Sequence, residues 1–269
     1  MHADNQTEID RANMAFWDEL CGSALARRLG VTDSSPDSLK RFDDWYMEYY
    51  PYLDWYVPLA EMQGKRVLEI GLGYGTVAQR LMEAEADYHG LDIAANPVTM
   101  AHHRLKLLGK NGTVKQDSVL LCPFPDEMFD WVVTIGCLHH TGNLPRAISE
   151  VHRVLKPGGK AVVMVYNGAS YRHWEKDPRG TFRRVLGKVD TATQAMRHAY
   201  DSNAAGDAAP ETQFVTSRQL RRLCQDFRKC QIWKENIGSD GWFKSVSRPV
   251  ALRYFGPFLG LDLYAHLEK

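Results

Sequence analysis

The sequence predicts an α/β chain built on a doubly wound, largely parallel sheet. From Arg66 onward, short apolar strands alternate with helical patterns, a glycine-rich turn joins the first of those strands to its helix, and two more strand-like segments close the chain. Such alternation requires right-handed crossovers, and ligands then bind beyond the carboxyl ends of the strands.

Val67–Ile70 reads as the first strand, followed by glycines and a helix that turns Val77, Leu81 and Met82 inward. Tyr88–Asp92 is the second strand, Val98–Leu108 a helix, and Thr113–Lys115 a short third strand. Asp130–Ile135 and Ala161–Val165 are continuously apolar, as parallel strands buried on both faces should be. Between them Leu144, Ala147, Ile148, Val151, Val154 and Leu155 recur at helical spacing, with Pro145 near the start and Pro157-Gly158-Gly159 as the stop. A capping box, Thr216 to Gln219, opens a helix bearing Leu220, Leu223 and Phe227. Cys230–Ile237 and Leu261–Leu267 then form a closing pair around an insertion, 238–260. The small, polar tract Asp201–Ala209 reads as a flexible loop.

With 269 residues, 44% hydrophobic and 25% charged, the chain has room for one large domain and the makeup of a globular enzyme. Lys plus Arg and Asp plus Glu are 33 each, so no net field draws it to nucleic acid or an anionic membrane. The five cysteines are scattered without a CxxC pair, which disfavours a disulfide framework or a zinc site, and no metal is expected. Without an apolar run of membrane length or a signal-like start, a cytoplasmic protein is the expectation.

The turn Glu69-Ile70-Gly71-Leu72-Gly73-Tyr74-Gly75-Thr76 suits close approach of a ligand to backbone. Nicotinamide, flavin and sulfonium cofactors all use such turns, and Asp92 stands where an acid binds ribose hydroxyls in any of them. The GxGxG spacing disfavours a pyrophosphate, with Thr76 where a third dinucleotide glycine would fall. Glu69 would repel a pyrophosphate but suits a cationic amino-acid group. A structural turn with a solvated Glu69 is the alternative.

Five blocks in order, VLEIGLGYGT (67–76), GLDI (90–93), QDS (116–118), CPFPDEMFDWVVTIGCLHH (122–140) and EVHRVLKPGGKAVV (150–163), resemble the class I S-adenosylmethionine-dependent methyltransferases, most closely their quinone, sterol and natural-product branch. The resemblance implies a Rossmann-like sheet of seven strands, mostly parallel with an antiparallel final strand. It implies S-adenosylmethionine as cofactor and S-adenosylhomocysteine as product. It further implies that Glu69, Gly71, Gly73 and Gly75 contact the methionine part and Asp92 the ribose, with Ile93 packed on adenine. Asp117, beside Ser118, would read the adenine amino group, and the backbone at Gly136 and Cys137 would meet the methionine amino group. A loop-capping role is the alternative for Asp117. Ala95 departs from the family's proline or acid at a helix start.

Methyl transfer from a sulfonium is an in-line displacement, so a general base is needed only where the acceptor must lose a proton. His140, then His139, are the candidates beyond the fourth strand; a pocket-shaping role is the alternative. Tyr166 and Asn167 follow the fifth strand on the same rim and could hold an acceptor, or simply pack there. His102 and His103 are expected on the surface. No HExxH, GxSxG or P-loop sequence is present.

Residues 1–60 read as an N-terminal helical cap and 61–269 as the cofactor domain. Within the cap, Phe16–Ser23 resembles a cover over a small-molecule pocket. Eight aromatics crowd residues 42–56, and Phe42, Trp45, Tyr46 and Tyr49 share one helical face. That face suits packing on the sheet, lining a sulfonium site by cation–π contact, or both, with Tyr46 and Tyr50 as substrate candidates. The insert 167–215 is long for a connection. Its Arg172, His173, Lys176, Arg179, Arg183, Arg184 and Lys188 suggest either an anionic substrate or a solvated helix. The function expected is methylation of a small molecule, with oxygen favoured over nitrogen, carbon or sulfur. An RNA or protein methyltransferase and a non-catalytic cofactor-binding protein are the alternatives.

Overall fold

The computed structural model describes residues 2–19, 24–31, 33–187, 194–203 and 205–269. Leu20–Ser23 of the expected N-terminal cover, Lys188 of the basic insert and Ala204 of the polar tract lie outside the described residues.

Seven strands form one sheet: β1 (Arg66–Ile70), β2 (Asp87–Asp92), β3 (Thr113–Gln116), β4 (Phe129–Ile135), β5 (Leu155–Tyr166), β6 (Lys229–Glu235) and β7 (Asp262–Glu268), in the order β3-β2-β1-β4-β5-β7-β6. The pairs from β3 across to β5 are parallel, and β7 runs antiparallel to both β5 and β6. The expected Rossmann-like sheet with its antiparallel final strand is therefore present. Strand order reverses between β1 and β4, and a crevice opens there at the carboxyl ends.

Alternation along each strand feeds two cores. Leu68, Ile70, Val132, Val163 and Leu263 face one layer with Leu144, Ile148, Val151 and Val154 of helix Leu144–Val154. Val67, Val133, Val162 and Tyr264 face the other with Val77, Leu81 and Met82 of helix Thr76–Glu83. Each buried aliphatic side chain of this size stabilises the fold by about 1.5–3 kcal/mol.

Three local expectations are corrected. Pro157-Gly158-Gly159 does not stop a helix: Val154 is already the last helical residue, and the segment is a bulge in β5. Leu155 pairs with Phe129 while Lys160 pairs with Trp131, so six residues of β5 span three of β4, and Gly158 supplies φ +74°. The helix expected from Val98 starts at Ala95, where Asp18 Oδ1 accepts the Asn96 amide at 2.7 Å. The N-terminal helix thus supplies the cap that Ala95 cannot. The tract 201–209 is a tight turn, with Ser202 paired to Ala208 and Asn203 Oδ1 accepting the Asp207 amide at 2.7 Å.

Helix His2–Asp18 docks on the loop after β4: Asn13 Nδ2 donates to the His140 carbonyl at 2.7 Å and Gln6 Nε2 to the Thr141 carbonyl at 2.8 Å. The aromatic stretch packs on the sheet side, Phe42 stacking on Tyr74 at 4.1 Å and Tyr56 on Tyr264 at 4.2 Å. Among the described residues no helix is long and apolar enough to cross a membrane.

Candidate active site

The turns after β1 and β4 meet at the point where strand order reverses. Gly71 has φ +83°, and a Cβ placed there would lie 2.4 Å from Cys137 Cβ, so only glycine lets the two loops close on each other. Over this contact opens a cavity of about 340 Å³. It is lined by Glu69, Gly71, Gly73, Asp92, Ile93, Asp117, Ser118, Gly136 and Cys137, which brings together all but one of the residues expected around a cofactor. The exception is Gly75. It has φ +74° and turns the chain into helix Thr76–Glu83, and a Cβ there would meet the Arg104 side chain at 2.8 Å, behind the cavity.

The carboxylates are held differently. Glu69 is 3% exposed and accepts the Tyr88 hydroxyl at 2.7 Å; burial, opposed by that hydrogen bond, pushes its pKa up to about 8. Asp92 accepts the Leu72 amide on Oδ2 at 2.7 Å and the Ala94 amide on Oδ1 at 2.9 Å, which fixes its plane at the end of β2. Burial raises its pKa, too. Asp117 is exposed, with Oδ1 accepting the Ser118 amide at 2.7 Å. The loop-capping role falls instead to Ser118, whose Oγ accepts the Leu120 amide.

Beneath the glycine turn lies a buried pair that the sequence did not signal. Arg104 is fully buried, donating to Tyr74 O at 2.7 Å and to both oxygens of Asp43 at 2.7 and 2.8 Å, and Asp43 also accepts the Thr76 hydroxyl at 2.6 Å. Helix Pro36–Tyr49 is thereby tied to the turn.

His140 lines the opposite wall and is 4% exposed. Its Nδ1 lies 2.8 Å from the Glu211 carbonyl oxygen, which can only accept, so Nδ1 carries the proton and Nε2 presents a lone pair. Nε2 has no hydrogen-bond partner and stands 3.6 Å from Asp201 Oδ2. Burial holds the imidazole below its ordinary pKa, against the pull of Asp201. Trp17 packs against the ring, tilted by 56° with centroids 4.7 Å apart.

Two expected site residues do not reach the cavity. His139 is fully buried and wedged at 4.1 Å from both His140 and Tyr166, with burial keeping it neutral. Asn167 is also fully buried, donating to Gly260 O at 2.7 Å and accepting the Ala169 amide at 3.0 Å, which uses it to anchor the insert. Tyr166, Tyr46 and Tyr50 do line the cavity, the last two 4.8 Å apart, and Tyr166 donates to Asp201 Oδ1 at 3.1 Å.

The basic insert is also corrected. Arg172 is engaged by Asp240, burial holds His173 near a pKa of about 3, and Arg184 donates to Gly168 O, while Lys176, Arg179 and Arg183 are exposed. None of these six lines the cavity; the insert's described contribution is Asp201. Asp10, Asn13 and Trp17 of the first helix line it as well. Trp17 falls within the expected cover 16–23, whereas Asp10, Asn13 and Asp201 were illegible because they come from segments without motif or strand-end position.

Residues 68–163 match the family model for the methyltransferase domain. Over this segment the chain is similar to methyltransferase domains. Its relatives include the phthiotriol/phenolphthiotriol dimycocerosates methyltransferase of Mycobacterium leprae, 39% identical over 141 residues (51% of this chain, 52% of the relative). A fatty-acid O-methyltransferase of Mycolicibacterium smegmatis is 35% identical over 154 residues (55% and 52%). The chain thus spans about half the length of these curated relatives. A SAM-dependent methyltransferase of Methanosarcina mazei shares the fold at a TM-score of 0.54 and 17% identity, over 82% of this chain and 97% of that one. The methyltransferase family and fold imply S-adenosylmethionine as cofactor.

Proposed function

We propose that this chain transfers a methyl group from S-adenosylmethionine to a hydroxyl of a small molecule held in the cavity. The observation that carries this reading is charge: the described lining contains Asp10, Glu69, Asp92, Asp117 and Asp201 and no lysine or arginine. Such a wall suits a cationic cofactor and rejects the pyrophosphate of a dinucleotide.

On this reading Glu69, with the backbone at Gly71, Gly73, Gly136 and Cys137, holds the amino-acid end. Asp92 takes the ribose hydroxyls, Ile93 covers adenine and Asp117 reads its amino group. The bound cofactor supplies an electrophilic methyl on a sulfonium. Gly75 supports the turn without contact, and Ser118 caps the strand end.

His140 is the base of this scheme. Its Nδ1–H is fixed by Glu211 O, so Nε2 accepts the acceptor's proton, and the resulting imidazolium gains Asp201 as counter-charge. Tyr166 positions Asp201, while Tyr46 and Tyr50 form the aromatic wall. Residues 1–60 act as the lid and 167–215 as the opposite wall, a division supported by Asn13, Trp17, Tyr46 and Tyr50 on one side and Asp201 on the other. A carboxylate acceptor, such as the fatty acid in the name of one relative, would meet no described cation in the cavity. A neutral hydroxyl fits better.

Incubation with methyl-labelled S-adenosylmethionine and a cell extract tests the reading. Label should enter the small-molecule fraction with formation of S-adenosylhomocysteine; label confined to protein or RNA, or none transferred, would refute it.

A further inference from the structure

Resting on the reading above, the geometry points to the acceptor class: we propose that it is a vicinal amino alcohol, a molecule carrying a protonated amine on the carbon next to the reacting hydroxyl. Two buried, unpartnered acceptor atoms of cavity-lining residues, His140 Nε2 and Asp201 Oδ2, lie 3.6 Å apart. One is neutral and the other belongs to a carboxylate. A buried acceptor without a donor is costly, more so when charged, so an occupant that supplies one donor to each is selected. An ammonium satisfies the carboxylate and a hydroxyl satisfies the imidazole. Their 3.6 Å separation suits groups on neighbouring carbons.

Among the described residues no lysine or arginine is paired with Asp201. Arg172, the nearest in charge, is spent on Asp240 at 2.8 Å and on the Ala199 carbonyl at 2.9 Å. Tyr166 satisfies only Oδ1, which leaves Oδ2 without a donor. Asp262, 1% exposed with Oδ1 unpartnered, stands behind the same aromatic wall and adds to the negative field, its pKa pushed up to about 7 by burial. The rings of Trp17, Tyr50 and Tyr166 line the space around the pair and suit both an ammonium and an apolar body.

Asp201 is the specificity-determining residue in this account, and His140 receives the hydroxyl proton. The step balances: the hydroxyl oxygen would take the methyl as the methyl–sulfur bond of S-adenosylmethionine breaks, the bonding pair would leave on sulfur with S-adenosylhomocysteine, the hydroxyl proton would pass to Nε2, and the ammonium keeps its charge.

Calorimetry on protein loaded with S-adenosylhomocysteine tests the proposal with four matched probes: phenylethanolamine, phenethylamine, phenylethylene glycol and mandelate. Phenylethanolamine should bind at least about tenfold tighter than phenethylamine or the glycol, and mandelate should give no heat. Asp201→Asn should weaken both amines by about tenfold or more and change the glycol by less than about twofold. Equal binding of phenethylamine would remove the paired hydroxyl. Equal or tighter binding of the glycol or mandelate, no binding of phenylethanolamine, or an equal effect of Asp201→Asn on every probe would overturn the proposal. Loading with S-adenosylhomocysteine reports separately on the cofactor reading, so its failure is distinguishable from failure of the amine recognition.

Discussion

The Tyr88 hydroxyl donates to Glu69 Oε2 at 2.7 Å, a hydrogen bond between neighbouring strands beneath the glycine turn. It gives a buried carboxylate its one side-chain donor. Because burial outweighs this donor, Glu69 titrates at about 8 rather than in the ordinary carboxylate range.

A pH dependence of cofactor binding follows. In the free protein Glu69 is largely protonated below about pH 8, so a cationic cofactor must displace that proton to gain the carboxylate's charge, and affinity for S-adenosylmethionine should rise between pH 6 and 8 and level off above. Glu69→Gln should weaken binding and flatten the profile; Tyr88→Phe should move the midpoint upward. In the free protein the sign is opposite for stability. The raised folded-state value makes Glu69's contribution complete below the unfolded value near 4.5 and lost as pH climbs through about 8. Calorimetric titrations across this range, with chemical denaturation beside them, check both.

Gly71→Ala should be the most damaging change in the turn. The new methyl meets Cys137 Cβ at a φ of +83°, which should cost about 1–3 kcal/mol and open the cofactor cavity. Gly158→Ala has a similar φ, +74°, with nothing within 4 Å, and should cost about 1 kcal/mol without touching binding. Denaturant melts of the two variants separate the steric effect from the backbone effect.

Asp43→Ala should destabilise the protein by about 3–5 kcal/mol, since it strands the fully buried Arg104. Arg104→Met in the same background should recover much of that loss. If the double variant is no more stable than Asp43→Ala, the pair is not what ties the lid helix to the turn.

Much of this was legible before the fold was. Strands such as Val132–Ile135 and the helix at Leu144 announce themselves by period, and Glu69, Asp92 and Asp117 by their place at strand ends. What stayed hidden depends on distant contacts. Asp18 caps a helix 78 residues away, and Asp201 sits in a tract whose small, polar residues suggest flexibility until Ser202 pairs with Ala208. The sequence ranks His140 ahead of His139 without showing what separates their roles. A fixed tautomer and a place on the cavity wall separate them, and only the fold supplies both.

His140→Ala should lower kcat by about a hundredfold, the scale of a lost general base. Because burial keeps His140 below its ordinary value of 6.5, the wild-type kcat should hold steady from pH 8 down to 6.5 and fall only at lower pH. His139→Gln, which changes a ring outside the cavity, should lower stability more than turnover.

Calorimetric titration of the purified chain with S-adenosylmethionine and S-adenosylhomocysteine bears most directly on the central claim, that the carboxylate-lined cavity is a cofactor site. The account predicts one site per chain for each, weakened by about tenfold or more in Glu69→Gln and in Asp92→Ala. No binding by the wild type, or full binding by both variants, would contradict it.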